Sequence, residues 1–329
     1  MNIIILTETE IRDCVSMDIA AMKRIEDGFS ALAQGKVTLP PILRVDIPES
    51  FGEVDVKTAY IHGAEQFAIK IAAGFFKNHR LGLPSGSGMM VVVSAKTGFP
   101  QAVLLDNGYL TDLRTGLAGA IAANYLAPQT VKTAGVIGAG AQARYQIRGL
   151  KLVRDFQELL IYSLKDEEIQ LYIKEMSDEL GIKVIPVEGP EEVVRNSQVV
   201  VTATPSHEPY LRGEWLHPGM HITCMGSDSS DKQELFVDTF ECADRIVCDQ
   251  RDQCFQFGEL HHALSAGIIQ SKDQVAELGE LISGVRPGRL NEGEITICDL
   301  TGVGVQDTQI ALLAYQRAVE RQLGITLDN

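Results

Sequence analysis

The sequence is poor in aromatic residues, 6% of 329, with a single tryptophan, and it contains no run of about 18 consecutive apolar residues, so no membrane-spanning helix is expected. The opening MNIIILTETEIRD carries only a short apolar run, without a basic flank or a small-residue cleavage site, and a cytosolic protein is expected. The six cysteines, Cys14, Cys224, Cys242, Cys248, Cys254 and Cys298, form no Cys-x-x-Cys pair and no ligand-spaced cluster with histidine. That argues against structural zinc and a disulfide framework, so the cysteines read as small buried residues of a reducing compartment and no metal is expected. Positive charge is also scarce. With 29 basic against 44 acidic residues the formal charge is −15, a field that repels nucleic acid and anionic membrane surfaces alike.

What is present is 45% hydrophobic and 22% charged, enough for one large or two ordinary globular domains. From about residue 130 to 300, apolar runs such as TAGVIG, ELLIYS, IKVIPV, SQVVVTAT, MHITCMG and DRIVCD alternate with helix-like segments. Continuous apolar strands separated by helices predict an α/β fold whose parallel sheet is covered on both faces. Residues 1 to 115 differ. One early helix, MDIAAMKRIEDGFSALAQG, precedes alternating or β-branched runs joined by Gly, Pro and Asn turns, which predicts a second domain with a mostly antiparallel sheet. TGLAGAIAANYLA bridges the two, and the amphipathic VQDTQIALLAYQRAVERQLG has the length to pack back onto the first domain.

The motif GVIGAGAQA lies between a predicted strand and a predicted helix, the context that a dinucleotide-binding turn requires. Gly138 would make the tight turn and Gly140 would admit a pyrophosphate to the backbone. Ala143 stands where a third glycine lets the helix close on the strand, and Ala139, Ala141 and Gln142 complete the loop. At the end of the next strand, where an acid usually binds the ribose of NAD, the chain has Ser163 and then Lys165. NAD and NADP both remain open, since Lys165 suits either a 2′-phosphate or plain solvent.

Taken in order, FAIKIAAGFF, GLPSGSGMMVVVSAKTG, LTDLRTGLAGAIAANYLA, GVIGAGAQA, VVTATPS and GSDSSDKQEL resemble the ornithine cyclodeaminase and mu-crystallin family over nearly the whole chain. The resemblance implies a Rossmann-type doubly wound sheet over residues 118–304. It also implies a discontinuous α+β substrate-binding and dimerisation domain over 1–117 and 305–329, a homodimer, and a nicotinamide cofactor. On the matching positions, Arg44, Lys70, Ser85 and Arg114 would hold a substrate carboxylate, and Asp228 would act as acid/base with Lys70 beside it in the catalytic machinery. Thr202, Ala203 and Thr204 would lie near the nicotinamide. The residue types suit the chemistry. A carboxylate clamped by guanidinium and ammonium groups fixes the substrate for hydride transfer, and one nearby carboxylate exchanges the amine proton. His261, His262 and Tyr109 read as structural.

Lys57, thirteen residues before Lys70, departs from the resemblance, because members that cyclise ornithine carry an acid there. A hairpin through Gly63 would bring Lys57 beside Lys70, and four cations around one pocket exceed the need of one carboxylate. A small dicarboxylic imino acid of the iminosuccinate kind, reduced to an amino acid, is therefore the expected substrate. The alternatives are cyclodeamination of ornithine or an ectoine-derived diaminobutyrate, and a mu-crystallin-like nucleotide-bound binding protein.

Overall fold

The computed structural model describes residues 2–328. In chain order it forms β1 (Asn2–Thr7), α1 (Glu8–Cys14), α2 (Ile19–Ala33), β2 (Val37–Thr38), β3 (Leu43–Ile47), β4 (Gly52–Ile61), β5 (Gln66–Phe75), β6 (Gly86–Ser94), β7 (Pro100–Leu105) and α3 (Tyr109–Leu126). There follow β8 (Thr133–Ile137), α4 (Ala141–Val153), β9 (Glu158–Tyr162), α5 (Asp166–Leu180), β10 (Lys183–Pro186), α6 (Pro190–Asn196), β11 (Val199–Thr202), β12 (His221–Cys224) and β13 (Arg245–Cys248). The chain ends with α7 (Arg251–Phe257), α8 (Glu259–Ser265), β14 (Ala276–Glu277), α9 (Leu278–Ile282), β15 (Thr296–Asp299), α10 (Gly304–Arg321) and β16 (Ile325–Asp328). It divides into two compact units, one running to Arg114 and resuming at Val303, the other spanning Thr115–Gly302.

The first unit is built on a sheet ordered β16-β1-β7-β6-β5-β4-β2, with β3 also paired to β4. Strands β3 to β7 run antiparallel to their neighbours, while β1 joins β7 in parallel. Helix α10 packs on β4 and β5, and its first half is buried on every side, polar residues included. A helix that buries Gln306, Asp307, Thr308 and Gln309 must find partners for each. Thr308 meets this by donating to the Ala59 carbonyl at 2.8 Å and accepting from the Ala68 N–H at 3.2 Å.

The second unit is a wholly parallel eight-stranded sheet, ordered β10-β9-β8-β11-β12-β15-β13-β14. Its central strands β8 and β11 are apolar and almost wholly buried, as helices on both faces demand, and the order reverses between them, where such folds bind ligands. Strands β1, β2, β14, β15 and β16 are not among the elements expected from sequence. Five cysteines are buried as expected, but Cys242 is exposed, because it lies in the turn before β13 rather than on a strand. No helix is long and apolar enough to cross a membrane among the described residues.

Candidate active site

In the first unit, strand register decides which charged residues meet. Lys57 on β4 lies directly opposite Lys70 on β5, so both side chains project from one face of the sheet. Arg44 on β3 lies opposite Asp55 and, by the two-residue period, projects from that same face. Its guanidinium turns to Asp46, at 2.9 Å, and to Glu53. Arg114 comes from α3, whose first turn is fixed by Asp106 accepting from the Leu110 N–H at 2.8 Å. Ser85 is exposed just before β6, five residues ahead of Met90, the partner of Lys70. That is ~17 Å along the strand from the lysine pair.

The residue that joins the cations is one that sequence reasoning missed. Asp307, in the first turn of α10, is fully buried; its Oδ2 lies 3.1 Å from Lys70 Nζ and its Oδ1 accepts from Arg114 Nε at 2.9 Å. Burial alone would raise the Asp307 pKa, but Arg114, Lys70 and Lys57 outweigh it and hold the carboxyl below the usual range. Lys70 is driven the other way. Burial pushes its ammonium down to about 7; Asp307 resists this, while Arg114 and Lys57 add to it.

In the second unit, the turn after β8 has the form expected of a nucleotide loop. Gly138 has φ 110°, and a Cβ there would meet the Ala203 carbonyl oxygen at 2.4 Å, so neither the backbone nor the space admits a side chain. A Cβ on Gly140 would meet nothing within 4 Å, and no side chain caps the N-terminus of α4. An open backbone at the end of a 13-residue helix fits a pyrophosphate, so these residues could hold a dinucleotide. Arg144, also missed from sequence, holds the loop from behind. It donates to the carbonyls of Ala139 and, at 3.1 Å, Gly140, while Glu175 pairs with its Nε at 2.5 Å. Ser163 follows β9, and Lys165 is exposed and paired with Glu168 at 2.6 Å.

Thr202 and Thr204 are organised by Glu234, a third missed residue. Its buried carboxylate accepts from both threonine hydroxyls, at 2.6 and 2.7 Å. It also accepts from the N–H groups of Thr204 and Gly226 and from the Tyr210 hydroxyl, all within 2.9 Å. Burial raises its pKa against the bonds from Thr202, Thr204 and Tyr210. Behind it, Glu259 accepts from the N–H groups of Glu234 and Leu235, and Asp299 from that of Leu260. Burial first, then neighbouring carboxylates, raise both, Asp299 to about 8. Asp228 lies in the loop after β12, half exposed and paired with Lys232 at 2.6 Å. Tyr109 donates to the Val15 carbonyl at 2.6 Å. His261 and His262 bond the carbonyls of Phe255 and Lys232. Among the described residues no group of three or more His, Cys, Asp or Glu could hold a metal.

Residues 1–322 match the model of the ornithine cyclodeaminase/mu-crystallin family. The "uncharacterized cyclodeaminase y4tK" of Sinorhizobium fredii is 49% identical over 99% of this chain and 98% of its own. The iminosuccinate reductase of Paracoccus denitrificans, solved with NAD+, superposes with a TM-score of 0.91 at 30% identity, covering 100% of both chains. An archaeal alanine dehydrogenase dimer with bound NAD gives a TM-score of 0.91 at 35% identity, covering 100% of this chain and 99% of that one.

Proposed function

The chain belongs to the ornithine cyclodeaminase/mu-crystallin family, and from that premise we propose that it reduces a small dicarboxylic imino acid to an amino acid with a nicotinamide cofactor. It is an enzyme of the family's imine-reductase, amino-acid-dehydrogenase or cyclodeaminase kind, using NAD or NADP. The carrying observation is the clustering of cations in the first unit. Lys57, Lys70 and Arg114 act on a single buried carboxylate, Asp307, and Lys57 stands directly opposite Lys70. Three cations gathered at one place suit a substrate with two acidic groups better than a diamine.

The cofactor, when bound, supplies or accepts the hydride at the carbon bearing nitrogen. Arg114 and Lys70 would orient a substrate carboxylate, Lys57 a second one, and Asp228 would give the proton that the nitrogen gains as its carbon accepts hydride. The hydroxyl protons of Thr202 and Thr204 point to Glu234, which leaves their oxygens as acceptors for donors such as the nicotinamide amide. NADH is favoured over NADPH. Lys165 is engaged by Glu168, and α5 opens with Asp166, Glu167 and Glu168, an acidic turn unsuited to a 2′-phosphate. The enzyme would work as a homodimer, as in the alanine dehydrogenase structure.

The test follows NADH and NADPH absorbance with oxaloacetate, pyruvate or glyoxylate plus ammonium, and separately ammonia release from ornithine and diaminobutyrate. Stoichiometric NADH loss, fastest with oxaloacetate, is expected. Ammonia release without net cofactor change would replace this reading by cyclodeamination, the activity in the name of the Sinorhizobium relative. Cofactor binding without either reaction would replace it by a binding role.

A further inference from the structure

We propose that Asp307 is the positioning residue of the cationic cluster, a built-in counter-ion that holds the Lys70 ammonium and the Arg114 guanidinium in one fixed arrangement for a substrate carboxylate. The inference rests on the reading above that these two cations receive the substrate.

The argument is geometric. Lys70 and Arg114 are both almost wholly buried, on β5 and α3, and the two oxygens of one carboxylate divide between them, at 3.1 and 2.9 Å. Gln306 Oε1, next to Asp307 on α10, adds an acceptor for Arg114 at 3.4 Å. Two long cationic side chains on separate elements would otherwise repel each other and lose much of their hydration. A shared carboxylate removes both problems and leaves each cation with donors to spare: an ammonium has three and a guanidinium five. The groups acting on Lys70 are Asp307 from α10, Arg114 from α3, Lys57 from β4, and Asp106 in the turn between β7 and α3. Two of these four are cations, so loss of Asp307 removes the strongest group that favours the Lys70 ammonium and leaves Arg114 and Lys57 acting against it. The ammonium then gives up its proton at lower pH, and the arrangement that receives the substrate dissolves on the alkaline side first.

The experiment uses the full-length chain with NAD+, labelled with 15N at lysine Nζ, and follows the Lys70 signal, assigned by its loss in Lys70→Arg. In Asp307→Asn the titration midpoint should fall by at least one pH unit, a tenfold weaker hold on the proton. In parallel, KM for the oxaloacetate-derived imine at pH 7 should rise at least tenfold while kcat changes less than threefold. A Lys70 midpoint that stays in place overturns the inference, and because that titration involves no substrate it does so whether or not the proposed reaction is correct. If Asp307→Asn does not fold, the variant carrying Lys70→Met as well should exceed it in stability, since one of the two buried cations left without the shared carboxylate is then gone. A double variant no more stable than Asp307→Asn would overturn the proposal.

Discussion

The two units bury carboxylates in opposite ways. In the first, Asp307 is surrounded by cations and its pKa is held down. In the second, Glu234, Glu259 and Asp299 lie near one another, are met by N–H and O–H donors rather than by cations, and have their pKa values raised. The contrast separates a cluster of paired charges from one in which carboxylates hold backbone. Ammonium and guanidinium groups keep donors available after pairing with a single carboxylate. The carboxylates behind Thr202 and Thr204 spend their acceptors fastening loops, and their like charges favour keeping a proton.

The sharpest way to break this comparison is to remove a cation from the first unit. Arg114→Met takes from a buried carboxylate the guanidinium at 2.9 Å and keeps Lys70 at 3.1 Å, and a loss of about 3 to 5 kcal/mol is expected in urea unfolding. A loss below ~1 kcal/mol would show that Asp307 does not depend on its partners. Next in size is the second unit's loop. Gly138→Ala forces a side chain into a left-handed backbone against the Ala203 carbonyl, with an expected cost of about 1 to 3 kcal/mol and at least tenfold weaker NADH binding by fluorescence titration. Unchanged binding would remove the loop from the cofactor site.

A third test is read through pH. Asp299 has a folded pKa of about 8 against an ordinary 3.8, so the folded state keeps a proton that the unfolded chain has released. Its stabilising contribution is complete below the unfolded value and is lost as pH rises through 8. Asp299→Asn has no such proton to lose, so its stability relative to the parent should climb between pH 5 and pH 9. Asp307 has the opposite sign, with a contribution present above the ordinary carboxylate range and lost as pH falls through its depressed value. Parallel curves for Asp299→Asn and the parent between pH 5 and pH 9 would contradict the assignment.

The sequence made the parallel sheet, the glycine loop and the Lys57–Lys70 hairpin legible, because each rests on local pattern: apolar runs, glycine spacing, or two strands joined through one turn. Asp307 was hidden because an acid in the first turn of an amphipathic helix has a sufficient local explanation in the helix dipole. Its partners stand 193 and 237 positions away along the chain. The available signal was the run Gln306–Asp307–Thr308–Gln309, which is too polar for a helix start that packs on a sheet unless each side chain has a partner. Glu234 was hidden likewise in a segment that reads as a turn, DKQELF. Strands β1 and β15 escaped for a different reason. Each is a run of four to six residues beside a charged segment, too short for periodicity to declare it. Arg44 shows the limit of position alone, since its strand register shares the lysines' face while its guanidinium pairs with Asp46 and Glu53.

The central claim is that cations of the first unit choose an acidic substrate, and the Lys57→Glu variant tests it most directly. The measurement is the ratio of kcat/KM for oxaloacetate plus ammonium to that for pyruvate plus ammonium, in parent and variant. One unit-charge pair at 4 Å is worth roughly 4 kcal/mol at an effective dielectric of about 20, before screening. With about a third of that lost to screening, the ratio should fall by about 100-fold, and the pyruvate reaction should change far less. A ratio that is the same in both proteins would place Lys57 outside substrate selection and contradict the account.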